Sequence, residues 1–342
     1  MTEKIKAVMV GCGGITRSWL TPLRSMDNVE MVGLVDLVEA NARARAEEYG
    51  LTEALIGTDL AAVLRQAQPD VVFNCTIPEA HAPVTIEALQ FGCHVLQEKP
   101  LADSMESAAR MIAVAEREDR ILAVIQNRRY DTNIRRLRHL VASEAVGPLT
   151  TVNCDFYLGA HFGGFRDHMP HVLLLDMAIH TFDAARLITG ANPVSVFCKE
   201  WNPAGSWYDR DASAVAIFEL TNGLVYTYRG SWCAEGLNTT WESDWHLVGQ
   251  SGSIHWDGAE AIEAERVAAT GTFRSTLENV TVPVIDPGSK VGAHGGVIRE
   301  FLECVRSGRQ PETSAADNIH SLAMVFGAIE SAETGRTVSI SL

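Results

Sequence analysis

The sequence lacks the features of membrane proteins, nucleic-acid-binding proteins and disulfide-stapled proteins. No apolar run approaches the roughly 18 residues that a membrane-spanning helix needs. Basic residues are few: 28 Lys and Arg stand against 43 Asp and Glu, and a net charge of −15 disfavours binding to phosphate backbones. The seven cysteines form no CxxC pair, and no signal-peptide pattern opens the chain. We therefore expect reduced thiols, a cytoplasmic location, and neither membrane nor nucleic acid as partner.

What the sequence does contain is two successive patterns of secondary structure in 342 residues. The first part alternates short apolar strands, beginning with Ile5–Val10, with helices, which predicts βαβ units and a parallel sheet. The rest reads mainly as strands, two of them joined by an Asn222-Gly223 turn signal for a two-residue hairpin. The predicted class is α/β: a doubly wound Rossmann domain over 1–126, followed by an α+β domain over 127–342 with a mainly antiparallel sheet.

Two helix boundaries are predicted from local signals. Asp103 and Glu106 have the spacing of a capping box, at the start of a helix that runs to Arg117. Pro170 suits the first turn of a helix and Gly190 its end, which predicts one continuous helix between them.

A glycine-rich turn follows the first predicted strand. Gly11 would permit a tight turn, Gly13 would let the backbone approach a pyrophosphate, and the next helix would present unpaired N–H groups. Thr16 replaces the third glycine of the GxGxxG pattern, so a generic strand–helix turn is the alternative. The predicted cofactor contacts in this turn are Gly11, Gly13, Gly14, Ile15 and Thr16.

An acidic residue at the end of the second strand narrows the choice of cofactor. Asp36 lies 20 residues after Thr16, where a carboxylate can accept hydrogen bonds from an adenosine ribose. The same carboxylate would repel a 2′-phosphate, and Leu37 and Val38 place no arginine beside it. The pattern therefore favours NAD over NADP.

Three further residues carry side chains suited to catalysis. Lys99 ends a strand at the carboxyl edge of the predicted sheet, where ligands of open α/β sheets bind, although a surface lysine is the alternative. Asp176 and His180 are spaced i, i+4 and so share one helix face. This pair predicts either a general base beside a carboxylate or a packed histidine that a carboxylate caps.

Together these motifs resemble the Gfo/Idh/MocA family of dehydrogenases, and the resemblance covers nearly the whole chain. The residues that carry it are Gly11–Thr16, Asp36, Thr76–His81, Glu98-Lys99-Pro100, Asn127–Tyr130, Asp176 and His180, and a tail with Phe301, Gly308, Pro311 and Asp317.

The resemblance implies where the cofactor lies and how the chain assembles. It places Lys99 between the nicotinamide ribose and the substrate, and the Thr76–His81 turn beside the nicotinamide. The further cofactor contacts that it implies are Thr76, Ile77, Pro78, His81, Glu98, Lys99 and Pro100. It also implies a large open sheet in the second domain, which would join the chain into a homodimer or homotetramer.

The function that the resemblance implies is NAD-dependent oxidation of a hydroxyl on a cyclic monosaccharide, polyol or close derivative. His180 would remove the hydroxyl proton, Lys99 would stabilise the developing alkoxide, and Asp176 would orient substrate and histidine. The alternatives are a redox-assisted, NAD-dependent glycosidase and an NAD-binding regulator without catalysis. Because a regulator would be expected to lose the lysine and histidine, the retained pair favours an enzyme.

The substrate side is predicted from a loop over 159–169, which is rich in hydrogen-bond donors. The family commonly has a glycine triplet before the catalytic helix, but Pro170-His171-Val172 stands there in this chain, so the identity of the sugar is open. Arg166 leaves an acidic sugar possible. No metal is expected, because the loop histidines match no compact ligand set. The predicted substrate contacts are Lys99, Arg128, Tyr157, Arg166, His171, Asp176, His180 and Trp232.

Overall fold

The computed structural model describes residues 3–286, 288 and 290–342 of the chain, so the first two residues of the predicted first domain lie outside the description. Its contacts divide the chain into two compact units. Unit 1 comprises Met1–Tyr130 and Gly288–Leu322, and unit 2 comprises Asp131–Pro287 and Ala323–Leu342. Within the described part, no helix has the length and hydropathy to cross a membrane.

Unit 1 is built on a six-stranded sheet in which every neighbouring pair is parallel. Its strands are β1 (Ile5–Val10), β2 (Val29–Val35), β3 (Leu55–Gly57), β4 (Val71–Asn74), β5 (His94–Gln97) and β6 (Leu122–Val124). The spatial order β3-β2-β1-β4-β5-β6 is that of a doubly wound dinucleotide-binding sheet, which confirms the predicted Rossmann class.

Helices connect these strands. They are α1 (Thr16–Leu23), α2 (Glu39–Tyr49), α3 (Leu60–Ala67), α4 (Pro78–Phe91) and α5 (Met105–Arg117). Gly50 and Gly92 end α2 and α4 in the left-handed conformation that glycine adopts readily. The predicted capping box is wrong: Ser104, not Asp103, caps α5, and its hydroxyl accepts the Ser107 N–H at 3.1 Å.

A late helix belongs to unit 1, although the sequence assigned all of 127–342 to one domain. This helix, α9 (Ala293–Ser307), places Val297, Ile298 and Phe301 in the same core cluster as β1 and β4. Gly295 allows the approach, because a Cβ there would lie 3.1 Å from Pro22 of α1. Burial of these apolar side chains therefore stabilises the packing of α9 in unit 1.

Unit 2 carries a nine-stranded sheet that is antiparallel except for the pairing of β7 with β10. Its strands are β7 (Leu149–Tyr157), β8 (Pro193–Trp201), β9 (Ser213–Leu220), β10 (Val225–Ser231), β11 (Asp244–Gly249), β12 (Gly252–Trp256), β13 (Ile262–Ala269), β14 (Thr276–Asn279) and β15 (Val338–Ser339). The β9–β10 hairpin turns through Thr221–Gly223, one residue longer than predicted, with positive φ at Asn222 and Gly223.

Unit 2 also contains the helices α6 (Thr132–Ala142), the short α7 (Phe165–His168), α8 (Ile179–Thr189) and the last part of α10 (Ala315–Thr334). Helix α8 and the end of α10 pack on one face of the sheet, and α6 packs against α8. Phe182 of α8 contacts the rings of Phe218 and Tyr228, with centroids 4.9 and 5.3 Å away. On the other face Phe197 and Ile217 are exposed, so the predicted open sheet is confirmed. This packing fixes the helix that carries His180 against the sheet.

Candidate active site

The glycine turn between β1 and α1 packs directly on the end of β4. Gly11 has a φ of +82°, and a Cβ there would lie 2.7 Å from the carbonyl oxygen of Cys75. By contrast, a Cβ at Gly13 or Gly14 would meet nothing within 4 Å. Gly11 is therefore required by the fold, whereas Gly13 and Gly14 leave open backbone that a phosphate group can approach.

Thr16 and Arg45 hold the turn from within the unit. The buried Thr16 hydroxyl donates to the Gly13 carbonyl at 2.6 Å. Arg45 of α2 donates to the carbonyls of Cys12 and Gly13 at 3.3 and 3.1 Å and pairs with Glu48. Sequence reasoning missed Arg45, because its role depends on how α2 packs against the turn.

Asp36 lies at the end of β2 with its carboxylate oriented by three donors. One oxygen accepts the Cys12 N–H at 2.8 Å, and the other accepts the Val38 N–H at 2.9 Å and the Asn41 amide at 3.1 Å. Leu37 and Val38 beside it are exposed. A preorganised carboxylate flanked by apolar side chains fits the ribose and adenine of a dinucleotide.

His81 joins the two turns predicted to border the nicotinamide. Its ring nitrogens lie 2.8 Å from the Pro100 carbonyl and 3.1 Å from the Thr76 carbonyl. Asn74 fixes the first turn by accepting the Thr76 hydroxyl at 2.6 Å. His81 is fully buried, and burial lowers its pKa. The His81 side chain therefore holds together the two turns predicted to contact the cofactor. This positioning role was not predicted from the sequence.

Glu98 fixes the backbone of Lys99 from a buried position. Its carboxylate accepts the indole N–H of Trp19 at 2.7 Å and the backbone N–H of Lys99 at 3.2 Å. The Lys99–Pro100 peptide bond is cis. The lysine thus starts from a backbone that hydrogen bonds hold in place at the end of β5.

His294, near the start of α9, is a site residue that sequence reasoning missed. Its Nε2 lies 3.9 Å from Glu98 Oε1, and its ring packs edge-on against Trp19 at a centroid distance of 6.4 Å. Burial, and then the charge of Lys99, lower its pKa to about 4, so the imidazole is neutral at pH 7. No local motif predicts this role, because His294 lies near Lys99 only after α9 packs in unit 1.

In unit 2 the helix with the predicted catalytic pair is not continuous. The sequence predicted one helix from Pro170 to Gly190, but a π-helical segment, Leu173–Ala178, precedes α8. The wider turn holds Asp176, and His180 follows about one turn later. π-Helical turns are frequent at functional sites, so this departure agrees with a role for the pair.

Arg166 and Asp176, predicted separately, form an ion pair. Arg166 Nε donates to Asp176 Oδ2 at 2.6 Å. The guanidinium carbon also lies 5.0 and 4.7 Å from the ring centroids of Phe162 and Phe165. These contacts fix the Asp176 carboxylate and compensate its charge.

His171, a predicted substrate contact, lies against two carboxylates of unit 2. Its Nδ1 lies 2.6 Å from Glu200 Oε2, and its Nε2 lies 3.6 Å from Glu333 Oε1. Its φ of +50° is unusual outside glycine. His171 therefore anchors the loop that enters the helix with the predicted catalytic pair, and its role as a substrate contact stays a prediction.

The His171–Glu200 pair is expected to make the stability of the protein fall as pH rises. The hydrogen bond to Glu200 raises the pKa of His171 above its ordinary value of 6.5, and burial raises the pKa of Glu200. Glu333 and Asp211 also face the imidazole and favour its charged form. Both groups bind a proton more tightly when folded. The contribution of His171 is therefore complete below its ordinary pKa of 6.5 and is lost as pH rises through its raised folded pKa, whereas that of Glu200 begins to fall above its own ordinary pKa of 4.5.

The measurement is the melting temperature at several pH values from about 6 to 9. We expect the decline above pH 6.5 to be shallower in Glu200→Gln, which lacks the titratable partner. His171→Gly suits the positive φ and removes the imidazole, so it should flatten the profile too. Identical pH profiles in wild type and Glu200→Gln would contradict this role.

The remaining predicted substrate contacts are largely internal. Trp232 is 2% exposed, with Tyr208 stacked beside it and Phe162 edge-on at 5.3 Å, so its ring has no open face for a sugar. Arg128 is buried in a 3-10 turn. Tyr157 is half-buried at the end of β7, and burial raises the pKa of its phenol. Among the described residues, no cluster of three or more His, Cys, Asp or Glu could hold a metal ion.

The comparison with known proteins now defines the class. Residues 5–126 match the model of an oxidoreductase family with an NAD-binding Rossmann fold. Residues 134–255 match the model of a GFO/IDH/MocA C-terminal domain. The matched models and the fold thus place the chain in an oxidoreductase family with an NAD-binding Rossmann domain. The chain belongs to the GFO/IDH/MocA family, which confirms the predicted resemblance and the predicted NAD cofactor.

Individual relatives agree with this assignment. A protein of uncharacterized function from Sinorhizobium fredii is 30% identical, over 98% of this chain and 95% of its own. D-glucoside 3-dehydrogenase from Escherichia coli is 31% identical, over 66% of this chain and 69% of its own. An Agrobacterium radiobacter oxidoreductase crystallised with NAD⁺, L-tartaric acid and magnesium has the same fold, with 21% identity, 98% coverage of both chains and a TM-score of 0.84.

Proposed function

We propose that this protein oxidises a hydroxyl group of a cyclic monosaccharide, polyol or close derivative with NAD. The observation that carries the proposal is a helix widened at Asp176, with His180 about one turn later, in a chain whose first unit binds NAD. The similarity to a D-glucoside dehydrogenase supports a sugar as substrate. We keep the predicted division of labour, with the cofactor bound by 1–126 and the substrate by residues of 127–342, except that α9 in the second range packs in unit 1.

The proposed roles follow from the chemistry of each side chain. When bound, NAD would accept a hydride from the carbon that carries the reacting hydroxyl. His180 would take the hydroxyl proton as general base, and the Lys99 ammonium would hydrogen-bond the same oxygen and stabilise its growing negative charge. Asp176 would orient substrate and histidine. Glu98 and Arg166 support these groups by fixing the Lys99 backbone and the Asp176 carboxylate.

A neutral sugar is favoured over an acidic one. The positive charge of Arg166 was the reason to consider an acidic sugar as substrate. In the structure its guanidinium is already paired with Asp176 at 2.6 Å. A substrate carboxylate would have to compete with that carboxylate for the same donors. Arg166→Ala is therefore expected to impair the turnover of neutral sugars, through Asp176, and not only that of sugar acids.

We also propose a homodimer or homotetramer that forms through the open sheet of unit 2, and a cytoplasmic location. Phe197, Trp201 and Ile217 expose apolar surface on that sheet, which supports an interface between copies of the chain. All seven cysteines are free thiols and six of them are buried, which suits a reducing compartment. Analytical ultracentrifugation measures the assembly directly.

Asp36 is expected to give a preference for NAD over NADP of at least about tenfold in kcat/KM, because its carboxylate would repel a 2′-phosphate. Asp36→Ala should narrow this preference, but it also removes the acceptor of the Cys12 and Val38 N–H groups. Asp36→Asn is the matched variant, because it keeps the size of the side chain and one acceptor while it removes the charge. Equal use of NAD and NADP by the wild type would contradict this assignment.

The proposed function is tested by a screen for NAD reduction over sugars, sugar acids, polyols, glycosides and simple alcohols. We expect NADH formation with a cyclic sugar or polyol and little with simple alcohols, because a site that pairs hydroxyl groups rejects analogues without them. Faster turnover of simple alcohols than of any sugar would overturn the proposal. Cleavage of a glycoside without net NADH would replace it with a redox-assisted glycosidase.

A further inference from the structure

Three large aromatic rings are exposed in the loops and the short helix α7 of unit 2. Phe162 is 45% exposed, Phe165 is 67% exposed and Trp241 is 47% exposed. Phe162 contacts Trp241 at a centroid distance of 6.3 Å, and the Arg166 guanidinium contacts the rings of both Phe162 and Phe165. We call the surface formed by these three rings the aromatic platform. Exposed rings gathered in this way are a common mark of a ligand or interaction site.

The aromatic platform is continuous with the predicted catalytic carboxylate. The guanidinium of Arg166 lies 5.0 Å from the Phe162 ring centroid and 4.7 Å from that of Phe165. The same guanidinium binds Asp176 at 2.6 Å. Arg166 alone therefore lies between Asp176 and the aromatic platform. If one part of a ligand binds at Asp176, the part next to it would contact these rings.

The residues beneath the platform hold it in place before any ligand binds. Phe162 rests edge-on against the buried Trp232. Trp207 and Tyr208 both donate to the Ala160 carbonyl, at 3.1 and 2.7 Å. His161 stacks on Trp207 with a centroid distance of 3.7 Å. A surface that is ordered in advance loses less entropy when a ligand binds.

We propose that the aromatic platform is a subsite for a second ring of the substrate, so that the preferred substrate is a glycoside with a ring-shaped aglycone. This inference rests on the proposed function. The first ring would present its hydroxyls at Asp176, and the second would cover the rings of Phe165 and Trp241. Aromatic side chains bind the apolar face of a sugar or aryl ring through buried area and stacking. The polar neighbours Arg166 and Asp176 make an extended lipid or an all-apolar ligand a poor match.

The experiment compares matched pairs of substrates. The kcat/KM for NAD reduction is measured for the methyl and phenyl glycosides of each sugar that the enzyme turns over, as both anomers. The phenyl glycoside is expected to exceed the methyl glycoside by at least about tenfold for the preferred anomer, from the extra apolar area that it buries. Phe165→Ala and Trp241→Ala are expected to reduce this ratio toward one.

Phe273 provides the control, because it is a 92% exposed aromatic residue beside an arginine, Arg274, in a different loop. Phe273→Ala should leave the phenyl-to-methyl ratio unchanged. A ratio near one in the wild type, or a high ratio that survives in both Phe165→Ala and Trp241→Ala, overturns the second-ring subsite.

Calorimetric binding of the same glycosides separates this inference from the proposed function. If no sugar reduces NAD, the proposed function has failed, and the subsite is then judged by binding alone. Tighter binding of the phenyl glycoside, by about tenfold in Kd and lost in Phe165→Ala, supports the subsite. Equal Kd values for the methyl and phenyl glycosides refute it, whatever the catalytic result.

Discussion

His180→Ala is expected to lower kcat/KM by at least about 100-fold, because a positioned general base commonly contributes that much or more. Lys99→Ala should cause a loss of similar size, since the ammonium would stabilise the same oxygen as the proton leaves. The affinity for NAD should fall less in His180→Ala than in Lys99→Ala, because His180 is assigned to the substrate and Lys99 to substrate and cofactor alike. Steady-state kinetics with the best substrate of the screen measures the loss.

The control for this comparison is His139→Ala. His139 is an exposed histidine on α6, so its removal should leave kcat/KM within about twofold of wild type. Melting curves establish that each variant is folded. Near-normal turnover by a folded His180→Ala or Lys99→Ala would show that the catalytic assignment is wrong.

The second large effect is expected at the glycine turn, where two neighbouring substitutions should fail for different reasons. Gly11→Ala places a Cβ 2.7 Å from the Cys75 carbonyl oxygen at a φ of +82°, so it should lower the free energy of unfolding by about 3 kcal/mol. Gly13→Ala meets nothing within 4 Å and should change stability by less than about 0.5 kcal/mol. Its Cβ would instead obstruct the approach of the pyrophosphate and weaken NAD binding by at least about tenfold.

Denaturant unfolding and calorimetric NAD titration of the two variants distinguish these effects. Loss of stability in Gly11→Ala together with normal stability and weak NAD binding in Gly13→Ala is the expected pattern. Wild-type NAD affinity in Gly13→Ala would mean that the open backbone at this turn does not face the pyrophosphate.

The Rossmann unit was predictable because its signals are local. Apolar runs such as Ile5–Val10 mark buried parallel strands, and Gly11 and Asp36 stand at strand ends where the sequence alone suggests their roles. The mainly antiparallel sheet of unit 2 was predictable for the same reason. The position of α9 was not predictable, because the pattern of its apolar residues does not indicate which of the two sheets it packs against.

The sequence predicted which residues belong to the candidate site better than it predicted the contacts between them. Lys99, Asp176 and His180 stand in motifs, but the pairing of Arg166 with Asp176 depends on how a loop folds back over the π-helical turn. Tertiary packing alone brings His294 within the electrostatic influence of Lys99. The sequence also does not predict the positive φ of His171 or its hydrogen bond to the buried Glu200.

Product stoichiometry is the sharpest test of the proposed hydride transfer from a sugar hydroxyl to NAD. Purified protein is incubated with NAD and the best sugar of the screen, NADH is followed at its absorbance near 340 nm, and the sugar product is identified by mass spectrometry. We expect one NADH for each sugar molecule that loses two hydrogens, and formation of both at least about 100-fold more slowly in His180→Ala. Sugar turnover without net NADH, or NAD binding without turnover of any sugar or polyol, would contradict it.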